Sequence, residues 1–217
     1  RQPGDTQSTS SAASEGYKRQ RYTFVFEEDD FVRDTVWLQV RTMGFLSDSD
    51  REISVKQIEV EGELNAKPGD HYVALDDPEY KAKWMKVKAN ENLAELPIVV
   101  FRHEDLKEGE FSLLLEIQVN DNFSSGYPYL QRKKVTIADI PVRPSLWDGT
   151  AAHYFLGPYG PTKHLFLIDV LRDMNLKADD NFIKLIMPQN PPDMGETAYW
   201  ANLLNDKLLE ENQRRLD

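Results

Sequence analysis

The 217 residues contain no cysteine. Disulfides, zinc–thiolate sites and thiol nucleophiles are therefore excluded. A cysteine-free chain fits the cytosol, and fits equally an exported bacterial protein that uses no disulfides. Positive charge is also scarce: 26 Lys and Arg stand against 37 Asp and Glu, a net charge of −11. Such a surface repels phosphate backbones, so nucleic acid is not an expected partner. The basic cluster Arg132-Lys133-Lys134 is too small to reverse this and reads as the solvated edge of a strand or turn. No run is long and apolar enough to span a bilayer. Membrane attachment is expected only through an N-terminal lipid anchor that this chain does not carry. The first residue is Arg1 rather than Met, which predicts a processed product with any signal peptide upstream.

Catalytic signatures are missing too. His71, His103, His153 and His164 show no HExxH or other close ligand spacing, so no metal site is expected. There is no G-x-S-x-G nucleophile motif. Carboxylates gather at Glu27-Glu28-Asp29-Asp30 and around Asp70, Asp76 and Asp77, but without the spacing of a calcium loop. They read as solvated turns. The stretch "FLGPYGPTKHLFLIDVL", residues 155–171, places glycines and a lysine before a helical pattern, as a phosphate loop would. Pro158 and Pro161 remove backbone donors from it, and no Lys-Ser or Lys-Thr pair follows Gly160. It reads as a sharp turn with Thr162 as the helix N-cap. No cofactor is expected.

What the chain does have is period. Residues 1–16 are small, polar and aperiodic, and read as a disordered tether. From Tyr22 to about Val142 the apolar residues alternate. In "FSLLLEIQV", Phe111, Leu113, Leu115, Ile117 and Val119 share one face; in "TVWLQVRT", Val36, Leu38 and Val40 do. "EISVKQIEVE" changes phase, which predicts a β-bulge near Lys56-Gln57. Roughly eight short strands, punctuated by turns and with no helix between them, predict a mainly β chain. The expected fold is an immunoglobulin-like antiparallel β-sandwich over residues 17–143. Beyond it the period becomes helical. His164, Leu167, Ile168, Leu171 and Met174 form one stripe, and a further helix is predicted from about Glu196, with Trp200, Leu203, Leu204 and Leu208 inward. Residues 144–217 are thus expected to be a small helical region packed on the sandwich.

Aromatic side chains are the recognition chemistry on offer. Tyr127 and Tyr129 lie in the Gly/Pro loop "SSGYPYL"; Trp147, Tyr154 and Tyr159 surround the hinge. Flat rings on loops stack on sugar faces or anchor a protein partner. The other reading is that the hinge rings seal the contact between sandwich and helices.

Three segments carry a family resemblance. "PIVVFRHEDLKEGEFSLLLEIQVNDNFSSG" resembles a stretch typical of uncharacterised surface lipoproteins of Bacteroidetes. "ELNAKPGDHYVAL" resembles their A-x-x-G-x-DY turn, with His71 between Asp70 and Tyr72. "FLGPYGPTKHLFLIDVL" resembles their later G-x-Y-(S/G)-x-x-K turn. The similarity covers roughly residues 20–175. The early strands also look like the calcium-exchanger β-motif, but "VTIADIPVRP" lacks its closing acidic pair. The lipoprotein resemblance implies an exported, lipid-anchored protein of the outer membrane or cell surface. It implies a glycan, or a protein of an outer-membrane nutrient-uptake system, as partner. The expectation is a non-enzymatic binding protein with Tyr127, Tyr129, Trp147, Tyr154 and Tyr159 as ligand-binding candidates. The alternatives are a carbohydrate-active hydrolase built on acidic residues and a purely structural or adhesion module.

Overall fold

The computed structural model describes residues 18–148, 156–186 and 194–214. The predicted tether, residues 1–16, lies outside them. By its contacts the chain divides into two compact units. One comprises Arg1–Phe24 and Asp29–Ile140, the other Val25–Glu28 and Pro141–Asp217.

The alternating segments of the first unit become strands in open sheets. β1 (Lys18–Thr23), β9 (Arg132–Ala138), β8 (Phe111–Gln118) and β4 (Ser54–Ile58) lie side by side in that order. β1 runs parallel to β9, while β9/β8 and β8/β4 are antiparallel. The short β5 (Leu64–Asn65) runs parallel to the start of β8. A second sheet pairs β2 (Arg33–Arg41) with β7 (Leu93–Phe101), antiparallel, with Val36 opposite Ile98. The third is the short pair β3 (Arg51–Glu52) and β6 (Lys86–Val87). One buried cluster draws on the main sheets alike: Val36 and Leu38, Leu96 and Ile98, Leu113 and Leu115, Val135 and Ile137. Burying each such side chain contributes about 1.5–3 kcal/mol, so this shared core carries most of the unit's stability.

Three expectations need correction here. The ladder between β4 and β8 runs through Lys56 and Gln57 without a bulge. The change of phase after Val55 falls inside one continuous ladder; the change of partner comes earlier, where Glu52 pairs with β6, Ser54 with β8, and between them the Ile53 N–H donates to Met85 O at 2.9 Å. A helix, α1 (Pro78–Trp84), also stands among the strands where none was expected. Asp77 caps it by accepting the Tyr80 N–H at 2.8 Å, and Pro78 supplies a φ already suited to a first turn. Over the described residues, helix and strand contents are about equal, so the chain is mixed rather than mainly β.

The second unit holds α2 (Pro161–Arg172), α3 (Asp180–Ile186) and α4 (Met194–Arg214). His164, Leu167, Ile168 and Leu171 of α2 are buried as their spacing predicts, whereas Met174 lies past the helix end and is partly exposed. They pack with Trp147, Phe182, Ile183 and Trp200. The N-cap of α2 is Gly160, not Thr162, because Pro161 takes the first helical position. Lys163 closes the preceding turn by donating to Leu156 O at 2.8 Å and Pro158 O at 2.7 Å. Its ammonium therefore serves the backbone that a phosphate would have had to occupy.

Candidate functional site

Three loops of the strand-rich unit meet: residues 42–50 after β2, 88–92 after β6, and 119–131 after β8. Backbone hydrogen bonds tie the first two together. Thr42 N–H donates to Asn92 O at 2.8 Å, and Asn90 N–H donates to Ser47 O at 2.7 Å. Asn90 is held at φ 60°, a left-handed conformation that Asn tolerates better than most residues. Arg51 links the second loop to the third. Its Nη2 donates to Glu91 O at 3.1 Å and its guanidinium lies 5.0 Å from the centroid of the Phe123 ring. Asn120 folds the third loop on itself: Oδ1 accepts the N–H groups of Asn122 and Phe123, both at 2.9 Å. Its Nδ2 donates to Glu52 O at 2.9 Å.

Between the first and third of these loops lies a cleft of about 380 Å³. Tyr127, 55% exposed, stands in its wall with Phe123 and Met43. Asn122, Ser124 and Gln131 supply polar groups. The lining contains no Asp, Glu or His among the described residues. Gln131 Nε2 donates to Ser125 Oγ at 3.0 Å, which keeps one wall in place. At the tip of the first loop Phe45 is 98% exposed, next to Gly44 at φ +102°, where a side chain would be strained.

The five candidate aromatics do not form one site. Tyr127 lines the cleft just described. The backbone of Tyr129 lies in the turn Pro128–Leu130, while its side chain and the whole of Tyr154 lie outside the described residues. Trp147 and Tyr159 belong to the helical unit. Trp147 is 1% exposed, and its indole N–H donates to Gly157 O at 3.1 Å. Tyr159 donates its hydroxyl to Pro141 O at 3.1 Å and meets Trp147 edge-on at 5.2 Å. Packing and hydrogen bonds take up both rings, as expected of rings that build a core.

Sequence spacing also missed a cluster. His71, His103 and Asp105 each bring one ligand atom within 4.8 Å of the other two. The i, i+2 spacing of His103 and Asp105 was visible; His71, far earlier in the chain, was not connected to it by any pattern. His71 is fully buried, and burial, with His103 adding to it, holds its imidazole below the usual range. The tautomer decides what the cluster can do. Lys67 N–H donates to His71 Nδ1 at 2.9 Å, so the ring proton of the neutral imidazole sits on Nε2. That N–H faces Asp105 Oδ2 at 3.7 Å, and Asp105 Oδ1 lies 2.9 Å from His103 Nδ1. Ligating histidines carry the opposite pattern, a free lone pair on one nitrogen and a donated N–H on the other. The arrangement therefore suits a charge-compensated core better than a cation.

No curated protein matches the chain. Among solved structures, it is similar to a Bacteroides ovatus protein provisionally assigned to carbohydrate binding. The TM-score is 0.40 at 10% identity, covering 57% of this chain and 35% of that one. It is similar to the same degree, again with TM-score 0.40, 10% identity and 57% of this chain, to Bacteroides thetaiotamicron EndoBT-3987 with Man5GlcNAc product, of which it covers 28%. The chain thus spans about a third of the length of these structures. Its residues 6–172 match the DUF4843 profile, a domain of unknown function, and the chain belongs to that family.

Proposed function

We propose that this protein is a non-enzymatic glycan-binding protein of the cell envelope, tethered through its N-terminal segment by a lipid. Its strand-rich unit would be an immunoglobulin-like sandwich. Two observations support that fold: β2–β7 and β1–β9–β8–β4 share one core, and β1 joins β9 in parallel at the edge. The observation that carries the function is the exposed Tyr127 ring in a prebuilt, largely apolar cleft with Asn122, Ser124 and Gln131 in its wall. A sugar presents an apolar C–H face and a rim of hydroxyls; a tyrosine face with Asn, Ser and Gln around it complements both. Glycoside hydrolysis needs two carboxyl groups flanking the bond, and this lining offers neither. Binding without cleavage is therefore the reading it favours. The small, polar composition of residues 1–16 and the lipoprotein resemblance support the tether.

Calorimetry against a polysaccharide panel tests the reading. The protein is expected to bind at least one glycan without releasing reducing ends, and Tyr127→Ala is expected to weaken it by about 1–3 kcal/mol. Absence of binding across the panel, or an unaffected Tyr127→Ala, would refute it. A second reading, an uptake-system protein as the partner, draws on Phe45, whose exposed ring on a braced loop has the form of a binding anchor. Co-purification from membranes that is lost in Phe45→Ser would favour it.

A further inference from the structure

A cleft of about 570 Å³ runs along β2 and adjoins the Tyr127 cleft, with which it shares Arg41 and Gln131. Residues 37–41 of β2 line it without a break, and so do residues 130–133, which lead into β9. Successive strand residues point to opposite faces, so five in a row can line one cleft only through the strand's edge. The apolar part of the lining comes from both main sheets: Leu96 of β7, Val55 of β4, and Leu115 and Ile117 of β8.

The ladder between β2 and β7 fixes what that edge offers. In an antiparallel pair, opposed residues that bond each other alternate with opposed residues that do not. Thr42 N–H donates to Asn92 O and Arg102 N–H to Val32 O, both at 2.8 Å, at the two ends of an unbroken register. The even positions from Asp34 to Val40 therefore bond β7, and Trp37, Gln39 and Arg41 turn their N–H and C=O groups the other way. Pro97 agrees: it stands opposite Trp37, where the ladder asks no N–H of it. On the same edge, Thr35 N–H is taken by Asp34 Oδ1 at 2.7 Å. Among the described residues no strand pairs with this side of β2. β7, by contrast, is bonded on its far side too, where Val73 N–H donates to Val99 O and Phe101 N–H to His71 O, each at 2.9 Å.

Proteins usually guard an open edge with prolines, charges or bulges. Between Asp34 and Arg41 this strand has no proline and no charged residue, and its ladder has no bulge. A strand laid beside it would meet the backbone groups of Trp37, Gln39 and Arg41 and set every second side chain against Leu96, Leu115 and Ile117. Those groups recur once per two residues, about every 7 Å, and a peptide backbone is the ligand that repeats a donor and an acceptor at that spacing. The charged side chains of the lining are Arg41, Arg132 and Lys133, and no Asp or Glu lines it. Glu116, bonded to Arg132 at 2.6 Å, and Glu95, bonded to Gln39 at 3.4 Å, lie close by, so three cations meet two carboxylates there. A peptide ending in carboxylates suits that balance better than one ending in lysines.

We infer that the open edge of β2 docks an extended segment of a partner protein, which adds a strand there and buries alternate apolar side chains in the cleft. The affinity comes from main-chain hydrogen bonds and the selectivity from the alternation the segment must carry. The inference does not depend on glycan binding and uses neither Tyr127 nor Phe45.

The test is fluorescence anisotropy of the full chain with a labelled probe peptide, Glu-Thr-Val-Thr-Val-Thr-Val-Glu, acetylated and amidated at its ends. Binding is expected, and a scrambled peptide of the same composition should bind about tenfold or more weakly. Methylating one alternating set of the peptide's amides should abolish binding, and methylating the other set should not. Gln39→Pro should weaken binding to a similar extent. The Gln39 side chain is exposed and its N–H does not serve the β2–β7 ladder, so this variant is expected to keep its circular dichroism spectrum. Amide exchange of the parent chain needs no variant: saturating peptide should slow exchange at Trp37, Gln39 and Arg41. No binding of the probe, protection only at other amides, or binding undiminished in Gln39→Pro would overturn the inference. So would equal losses from the two methylated sets. It would also be overturned by another occupant of the edge. A dimer in sedimentation that Gln39→Pro returns to monomer would assign it to a second copy of the chain. Protection of the same three amides by a polysaccharide and not by the peptide would assign it to a glycan.

Discussion

His71 and His164 are both fully buried, and burial holds each imidazole below its ordinary value of 6.5. For His71 the neighbouring His103 adds to this, while Asp105 and Asp70 oppose it; for His164 a hydrogen bond to Ala178 O at 2.8 Å opposes it. His164 Nδ1 has no hydrogen-bond partner, so a proton added there would place a buried charge with no acceptor. The sign follows. Below about pH 6.5 the unfolded chain takes up protons before the folded one, so the stability present above that pH is lost as pH falls. Urea denaturation is expected to give a lower midpoint at pH 5.5 than at pH 7.5; an equal or higher midpoint would contradict it. Arg102 and Asp139 show the opposite device. Nε and Nη2 of Arg102 donate to the two carboxylate oxygens at 2.9 and 3.0 Å, with only 2% of the Asp139 side chain exposed. Asp139→Ala would remove the bidentate partner of the largely buried arginine and leave the solvent-exposed Asp29, 3.9 Å away, as a weaker one; a loss of about 3–5 kcal/mol is expected from equilibrium denaturation. None of these partnerships could be read along the chain, because Arg102 and Asp139 are 37 residues apart and carry no period that relates them.

Elements were legible where one period runs uninterrupted. β2 alternates along its inward face, while β8 is buried on both faces from Phe111 to Leu115; the α2 stripe repeats at helical spacing, and Leu113 and Leu171 are fully buried. Legibility failed where a partner changes. Ile53 joins two strands that belong to different sheets, and the alternation that runs unbroken through Ile53 and Val55 gives no sign of it. α1 failed for another reason. Seven residues are too few to show a helical stripe, but Asp77-Pro78 is a usable start signal. Asp77→Ala is expected to cost about 1 kcal/mol of unfolding free energy. Amide exchange should quicken locally at Tyr80 and Lys81, whose N–H groups bond Asp77. An unchanged exchange pattern would show that the helix does not depend on its cap. The cleft loops were legible only as breaks. Their composition announced turns, but the hydrogen bonds from Thr42, Asn90 and Arg51 that brace them join residues 40 or more apart.

At the scale of the molecule there are two cores with no residue in common, one around Leu113 and Val135 and one around Leu171 and Ile183. Leu113→Ala and Ile183→Ala should each cost about 2–5 kcal/mol. In calorimetric unfolding they are expected to lower different transitions, because each leaves the other cluster whole. A single transition shifted alike by both would show one cooperative core. The chain's own order of residues determined its acidic surface, its lack of thiol chemistry, the change from alternating to helical period, and the inward faces of its longest strands and helices. These depend on composition and local spacing, which a linear reading contains. Tertiary structure alone decided that Ile53 divides two sheets, and that Trp147 and Tyr159 build a core while Tyr127 faces a cleft. Each of those outcomes depends on which distant segments come to lie within a few ångströms of one another, and no local period records that.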